Sequence, residues 1–506
     1  MTDLYKSIRN NLNDFQKDLH WTDDEKVDMY SIHFSQFRKA TWFFRQIISL
    51  NSNGGSYEYN SDGKFKRIRY EIPTDSYHSL NRVTIELNNP RIQVKNDSNI
   101  EICLTDNWAY NNIKKFTITL NNIPIYSNDN IYYDIHSQSI VNKDAHNYIL
   151  GNVPELLEWN KFISEWKAMY NIPTFYSINT GSFLPLYLLT SMDNLHHTIE
   201  YKDNLMDYLK IREKIVRTDD AGNTTSHYVQ IPCKNFKNYF SHLKVNDVDV
   251  KNMDNCKLED PIMFASVDYL AELELNSLRC EQKNESDGSL KPFKLYIEDI
   301  YATQSDNTCE LGKLCDVKLT CKYPIHTIYW NPQNEEAIRF NNQSNYSTNA
   351  DHQSFGWSPI LWTSLSYKND ESSYIFKEMG TNFSERNNWY THTGVIPSRD
   401  NPGYNMSCMG AYLKDPNAKP GIVFENGKMS VKLADTNPFN YESSGHHADG
   451  DWSIPHPDLP DIPSRHYKIQ VRALYTKAII FSKYAASDEE RISGGTKCSF
   501  TTIGSS

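Results

Sequence analysis

Four groups of residues carry side chains that could do chemistry. In His446-His447-Ala448-Asp449-Gly450-Asp451, with His456 close behind, imidazoles stand beside carboxylates, a donor mixture that suits zinc and its neighbours. The same run is polar and has no apolar period to hold it against a core, so a solvated loop is expected, with no metal and no cofactor. Cys309, Cys315 and Cys321 are spaced by six, which would put all three on one face of a continuous strand. Asp306, Asn307, Gly312 and Asp316 interrupt such a strand, and buried or idle thiols are expected there. The 63 acidic residues would allow a glycosidase pair, but that chemistry needs two carboxyl groups roughly 5 to 10 Å apart and nothing singles out two of them. Trp357, Trp362, Trp389 and Tyr390 could stack on sugars; filling a core or a subunit contact is the expected role, because aromatic rings contribute the largest apolar areas. No P-loop, HExxH, GxSxG or GxGxxG occurs, so no catalytic residue is assigned and no enzyme is expected.

The elements that would hold these groups are mostly strands. The 33 Tyr, 22 Phe and 10 Trp make 13% of the 506 residues aromatic, and such residues fit half-buried pleated surfaces better than helix bundles. The formal charge of −11 provides no basic field for phosphate backbones, which argues against direct nucleic-acid binding. No apolar run reaches the roughly 18 to 20 residues needed to span a bilayer, and Met1-Thr2-Asp3-Leu4 lacks signal-peptide character, so a cytosol-made protein is expected. The nine cysteines are odd in number, scattered and free of CxxC, which reads as reduced thiols.

Along the chain, Leu4, Ile8, Leu12, Phe15 and Leu19 recur at helical spacing and predict an amphipathic helix over residues 3 to 20. Thr22 and Glu25 have the form of a capping box for a second helix near Asp23. From Phe65 onward, short apolar runs cut by Asn, Asp, Gly and Pro predict strands: Ile68 to Ile72, Val83 to Leu87, Ile100 to Leu104, Phe116 to Leu120 and Ile123 to Tyr126, the last two joined by Asn121-Asn122. Pro154, Leu156, Leu157, Trp159, Phe162, Ile163, Trp166 and Met169 predict one interrupting helix. Residues 203 to 260 show no clear period and read as a long excursion. Strand-like runs resume at Phe293 to Ile300, Val317 to Thr320, Ile325 to Trp330, Tyr374 to Phe376, Ile422 to Phe424, Met429 to Leu433 and Tyr467 to Phe481. The second half thus repeats the architecture of the first without a residue-level repeat.

Several segments resemble the major capsid proteins of nucleocytoplasmic large DNA viruses and related double jelly-roll viruses. Thr105-Asp106-Asn107-Trp108-Ala109-Tyr110 leading into Phe116-Thr117-Ile118-Thr119-Leu120 resembles the family's alanine-containing turn and long strand. Gly181-Ser182-Phe183-Leu184-Pro185-Leu186, followed by His197-Thr198-Ile199, is similar to its leucine- and proline-rich loop. Tyr323-Pro324-Ile325 through Trp330-Asn331-Pro332-Gln333 resembles its proline-led strand ending in tryptophan and glutamine. His392-Thr393-Gly394-Val395-Ile396-Pro397, with Leu413-Lys414-Asp415-Pro416, resembles its His-x-x-x-Ile-Pro turn and Leu-Lys-x-Pro exit; Ile469-Gln470-Val471-Arg472 and Arg491-Ile492-Ser493-Gly494-Gly495 resemble its last strand and tail. Gly421-Ile422-Val423-Phe424 stands where the family has Asn-Phe-Ser-Arg.

The resemblance implies a mainly β protein with two consecutive jelly-roll sandwiches, a double jelly roll. An N-terminal helical arm (residues 1–50) would precede a first roll (51–281, with an insertion near 203–260) and a second roll (282–506). It implies a major capsid protein that forms pseudo-hexameric homotrimeric capsomers of an icosahedral shell, assembled in the host cytoplasm and resident in the virion capsid. Its partners would be further copies of itself, minor capsid proteins and an internal membrane. Leu4, Ile8, Leu12, Phe15 and Leu19 are the candidate docking residues of the arm. A scaffolding protein of immature virions shares the fold and is an alternative; a β-sandwich carbohydrate-binding protein or enzyme is the alternative of another class.

Overall fold

The computed structural model describes residues 43–50, 58–59, 63–95, 98–176, 183–218, 224–272, 275–276, 293–348, 358–368, 373–397, 402–409, 422–434, 466–483 and 497–502. The arm residues Leu4, Ile8, Leu12, Phe15 and Leu19, the capping box at Thr22, Trp357, the His446 to His456 cluster and the proposed boundary at residue 281 lie outside these.

Eight strands build the sandwich of the first half: β1 (Phe43–Leu50), β2 (Lys66–Ile72), β3 (Ser79–Asn89), β4 (Ile113–Leu120), β5 (Ile123–Asp129), β6 (Trp166–Asn171), β7 (Leu195–Tyr201) and β8 (Ile262–Leu270). They form one sheet in the order β1-β8-β3-β6 and another in the order β2-β7-β4-β5, every pair antiparallel. This is the strand order of a jelly roll. Period-two burial explains why these segments are strands: in β7, Leu195, His197, Ile199 and Tyr201 are buried while the residues between them are half-buried. Val83, Ile85 and Leu87 of β3 and Ala265 and Val267 of β8 belong to the same apolar core as Phe116, Ile118 and Ile199 of the other sheet. Asn121 and Asn122, with φ of 50° and 66°, make the two-residue turn between β4 and β5; Asn tolerates that left-handed region better than most side chains do.

The second half has the same topology. Its strands are β9 (Phe293–Gln304), β10 (Leu314–Asn334), β11 (Ile360–Lys368), β12 (Ser373–Gly380), β13 (Asn405–Cys408), β14 (Ile422–Leu433) and β15 (His466–Lys483). The long β10 serves as two strands. Leu314 to Leu319 pair with β14, whereas Ile325 to Asn334 pair with β15 on one side and, through Thr327 to Trp330, with β13 on the other. The handover falls at Ile325, which faces Ile422 of β14 and Tyr475 of β15, and the β14 ladder shifts register just before it, around Pro324, which has no N–H to offer a ladder. Counting β10 twice, the orders become β9-β15-β10-β13 and β10-β14-β11-β12, those of the first roll. A second core fills this sandwich, with Leu319, Trp330, Leu365, Met429, Val431, Ile469 and Val471 all essentially inaccessible. The Trp330 Nε1 proton is donated across it to Thr363 Oγ1 at 3.1 Å.

The helix expected from Pro154 to Met169 is a correction. Helical structure there spans only Pro154–Leu157, and Glu158 is already extended. Trp166–Asn171 is instead the strand β6, whose Ala168 and Tyr170 alternate into the core and which pairs with Asn89 to Thr84 of β3. An apolar run compatible with both periods has been claimed by a free sheet edge. The helical insertion lies upstream, as α1 (Asn130–Gln138) and α2 (Lys143–Leu150). Asp129 caps α1 by accepting from Tyr132 N, and Asn142 caps α2 by accepting from Ala145 N.

Residues 203 to 260 contain the strands Leu209–Thr218, Thr224–Gln230, Leu243–Val245 and Val248–Asp249. Leu209–Thr218 pairs with Ile100–Leu104, and Leu243–Val245 pairs with Ile92–Val94. Both partners lie in the connection from β3 to β4. Because every ladder is antiparallel, the chain runs up odd-numbered strands of the roll and down even-numbered ones. The connections after β3, β5 and β7 therefore emerge at one end, where they add small sheets and helices to the sandwich.

The reading of Cys309 and Cys315 as idle thiols is also corrected: a disulfide joins them, with Cα atoms 5.8 Å apart. Gly312, at φ 76°, turns the chain so that Cys309–Glu310 pairs with the start of β15 while Cys315 lies in the first residues of β10, next to Leu314. Cys321 is buried and free.

Candidate functional site

Among the described residues no group of three or more His, Cys, Asp or Glu side chains is placed to hold a metal ion. The densest buried polar chemistry lies elsewhere, along the seam where the two rolls meet. The connection from β10 to β11 begins with a short helix, Glu335–Arg339, and then runs across the top of the first roll. Asn341 Nδ2 donates to the carbonyls of Met206 and Leu209, both at 2.8 Å. Lys210 Nζ donates to Asn342 Oδ1 at 2.8 Å, and Asn111 Nδ2 to Ser344 Oγ at 2.9 Å. These donors and acceptors are buried, so each bond prevents the cost of a desolvated, unpaired polar atom.

Asp134 of α1 is the centre of the seam. Its Oδ2 accepts the hydroxyls of Tyr346 at 2.8 Å and Tyr404 at 2.9 Å, and its Oδ1 accepts from Asn107 Nδ2. Burial pushes the Asp134 carboxyl up to about 6, against the opposing pull of the hydrogen bonds from Tyr346, Asn107, Tyr404 and Ser344. Gly403, at φ 101°, makes the close approach possible: a Cβ there would lie 2.6 Å from Tyr346 Cβ. Nearby, Arg472 of β15 forms a two-pronged ion pair with Asp129, Nε lying 3.0 and 2.9 Å from the two carboxylate oxygens. Apolar packing follows the same line. Ile131, Tyr132 and Ile135 of α1 share one cluster with Tyr329, Tyr346, Trp389, Tyr404 and Leu474 of the second roll. Ile297, Ile479 and Phe481 in turn belong to the first roll's core. The seam therefore fixes two sandwiches as one block.

Of the aromatic candidates, Trp389 is fully buried in that seam and donates to the Tyr404 carbonyl at 3.0 Å. Trp362 is half-buried in β11, and Tyr390 is 65% exposed, so the three do not converge on a sugar platform. Asp134, Tyr346 and Tyr404 were not singled out by sequence reasoning, because no local spacing links positions so far apart. The caps Asp129 and Asn142 are the signals that could have found α1 and α2.

No family model matches the chain, and no curated protein does. Similarity appears in solved structures. PBCV-1 VP54, from a crystal structure fitted into a reconstruction of the virophage Sputnik, superposes with a TM-score of 0.60 at 11% identity, covering 95% of this chain and 100% of that one. The quasi-atomic model of the PBCV-1 virus capsid gives 0.59 at 11% identity over the same shares. The Faustovirus major capsid protein gives 0.57 at 7% identity, covering 94% of this chain and 97% of that one. Near-complete coverage at such low identity shows a shared fold, the double jelly roll of these viral capsid proteins.

Proposed function

We propose that this chain is the major capsid protein of an icosahedral DNA virus and that three copies form a pseudo-hexameric capsomer. The observation that carries the reading is the repetition of one strand order in two sandwiches locked by a buried seam. Two similar rolls per chain, taken three times about an axis, give six similar sides, and such a block tiles a shell of sixfold surroundings. The likeness in fold to VP54 and the Faustovirus protein along nearly the whole chain supports it. A rigid seam suits this role, because the angle between the rolls sets the shape of the block. In this reading the enlarged top connections supply contacts around the threefold axis, the protein acts without catalysis, and it resides in the virion capsid after assembly in the host cytoplasm. The arm residues Leu4, Ile8, Leu12, Phe15 and Leu19 dock on minor capsid proteins or the internal membrane.

Light scattering of the purified protein tests the oligomer. Three chains of 58.9 kDa amount to about 177 kDa, and capsomer contacts should bury more than the roughly 2,000 Å² of an ordinary complex. A folded, monodisperse monomer at micromolar concentration overturns the capsomer. Electron microscopy of mature particles separates a permanent shell protein from a discarded scaffold of the same fold.

A further inference from the structure

The two rolls share an irregularity that aligns them residue by residue. In the first roll the ladder of β8 on β3 passes from Ser266 opposite Arg82 to Val267 opposite Leu80, skipping Asn81. In the second, the ladder of β15 on β10 passes from Leu474 opposite Thr327 to Tyr475 opposite Ile325, skipping His326. One extra residue on the same strand of the same pair is a bulge that fixes the correspondence, so Ser266 matches Leu474 and Tyr269 matches Lys477. Their partners on the other side match in turn. Ile47 of β1, opposite Ser266, stands where β9 has Ile300, opposite Leu474; Phe44, opposite Tyr269, stands where β9 has Ile297, opposite Lys477.

The matched residues differ in what covers them. Ile297 is 2% exposed within the first roll's core, and Ile300 packs on the seam cluster that contains Ile131, Tyr132 and Ile135 of α1. Beside them the Ser127 N–H of β5 donates to Asp299 Oδ1 at 3.4 Å. With these side chains β9 docks on β5, the last strand of its sheet, and on the helix that follows it. Phe44 and Ile47 of β1, also an edge strand, are instead 66% and 63% exposed. The counterpart of the receiving face is open too. β12 is the last strand of its sheet, and the helix after it, Phe383–Asn387 and Asn388–Thr393, shows Phe383 58% exposed three positions past the strand, where Tyr132 lies buried three positions past β5. A single exposed apolar residue needs no explanation, but here both halves of a junction that the chain already makes once are left uncovered.

We propose that Phe44 and Ile47 of one copy dock on β12 and its following helix, at Phe383, of a second copy, repeating between chains the junction that Ile297 and Ile300 make within one. The inference rests on the capsomer reading. The contact joins unlike faces, so rotation about an axis closes three of them into a ring in which every roll meets its neighbours in the same way. Both faces are exposed in the single chain, so substitutions there should leave its fold intact, as near-ultraviolet circular dichroism would check. Ile47→Lys and Phe383→Glu, made singly in the full chain, should each raise the concentration at which trimers dissociate about 100-fold in light scattering, since each removes an apolar contact and buries a charge without its counter-charge. Combined in one chain they set opposite charges against each other at every junction and should recover about tenfold of the summed loss. Phe44→Ser adds no charge and should weaken trimers about tenfold, so the test survives a charged variant that fails to fold. Trimers undiminished by the single substitutions, or a combined loss equal to the product of the two, overturn the inference and leave the capsomer joined through other faces. A wild-type chain that stays a folded monomer overturns the capsomer reading and this inference together.

Discussion

The Tyr404 hydroxyl donates to Asp134 Oδ2 at 2.9 Å across 270 residues of sequence. One end of this bond sits in the helical insertion of the first roll and the other just before β13 of the second, so it can form only when both rolls are complete and correctly set against each other. Tyr346 reaches the same oxygen from a third connection. Asp134→Ala would leave two hydroxyls and the Asn107 amide buried without their acceptor, and is expected to cost about 3 to 5 kcal/mol. Tyr404→Phe removes one donor only and should cost about 1 to 2 kcal/mol. Urea denaturation of both single variants and the double checks the coupling; strict additivity would mean that the two residues do not interact.

Asp129 has two duties, capping α1 through Tyr132 N at 3.0 Å and pairing with Arg472. Asp129→Ala should therefore be more damaging than loss of a cap alone, at about 3 to 5 kcal/mol, because the Arg472 guanidinium stays buried without its counter-charge. Arg472→Met keeps the cap and fills most of the volume, so its loss should be the smaller. Equal losses in thermal or urea melts would assign the whole effect to the ion pair and none to the cap.

These seam contacts also mark the limit of what the sequence discloses. Strands such as β4 are legible because burial alternates from Phe116 to Leu120 and the turn residues that follow, Asn121-Asn122, have few other uses. The doubled topology is legible for the same reason. Pro154 to Met169 is misread because its apolar residues satisfy a helical period, and only the position of β3 beside Trp166–Asn171 decides for a strand. The Cys309 to Cys315 link depends on a turn at Gly312 that brings together two residues a continuous strand would hold well apart. Asp134, Tyr346 and Tyr404 share no local pattern at all, since a contact over hundreds of residues leaves no mark in spacing. Asn342-Gln343-Ser344 and Asn405-Met406-Ser407 have the form of glycosylation acceptors, but Asn342 and Asn405 are 3% and 0% exposed, with no room for a sugar in the folded chain.

The disulfide closes a short loop, over a separation of six residues, and by loop entropy should contribute about 2 kcal/mol. Cys309→Ala with Cys315→Ala is expected to lower stability by that amount, and a reductant should then have no further effect on the variant. Unfolding curves of wild type that are identical with and without reductant would show that the bond contributes nothing.

Glu385 supplies a pH dependence whose sign can be stated in advance. Burial pushes its carboxyl up from 4.5 to about 7, against hydrogen bonds from Ser358, the Gly403 N–H and Asn405. A raised folded value means stability that is fully present below 4.5 and lost as pH rises through about 7. Glu385→Gln cannot ionise and escapes the loss. Relative to wild type it should gain about 1 to 3 kcal/mol between pH 4.5 and about pH 8 in urea midpoints. A difference independent of pH would show that the carboxyl titrates normally.

The amphipathic stripe at the N-terminus gives the last prediction. Leu4, Ile8, Leu12, Phe15 and Leu19 precede β1, which begins at Phe43, and both rolls close their sandwiches with strands that follow them. Docking four or five such side chains on a minor capsid protein or a membrane contributes about 1.5 to 3 kcal/mol each before ordering costs, enough to decide whether capsomers join a shell. Deleting residues 1 to 20 should leave trimers of normal melting temperature that no longer assemble. If the deletion unfolds the single chain instead, the stripe belongs to the core of its own roll. If shells still form at the wild-type rate, it has no part in assembly.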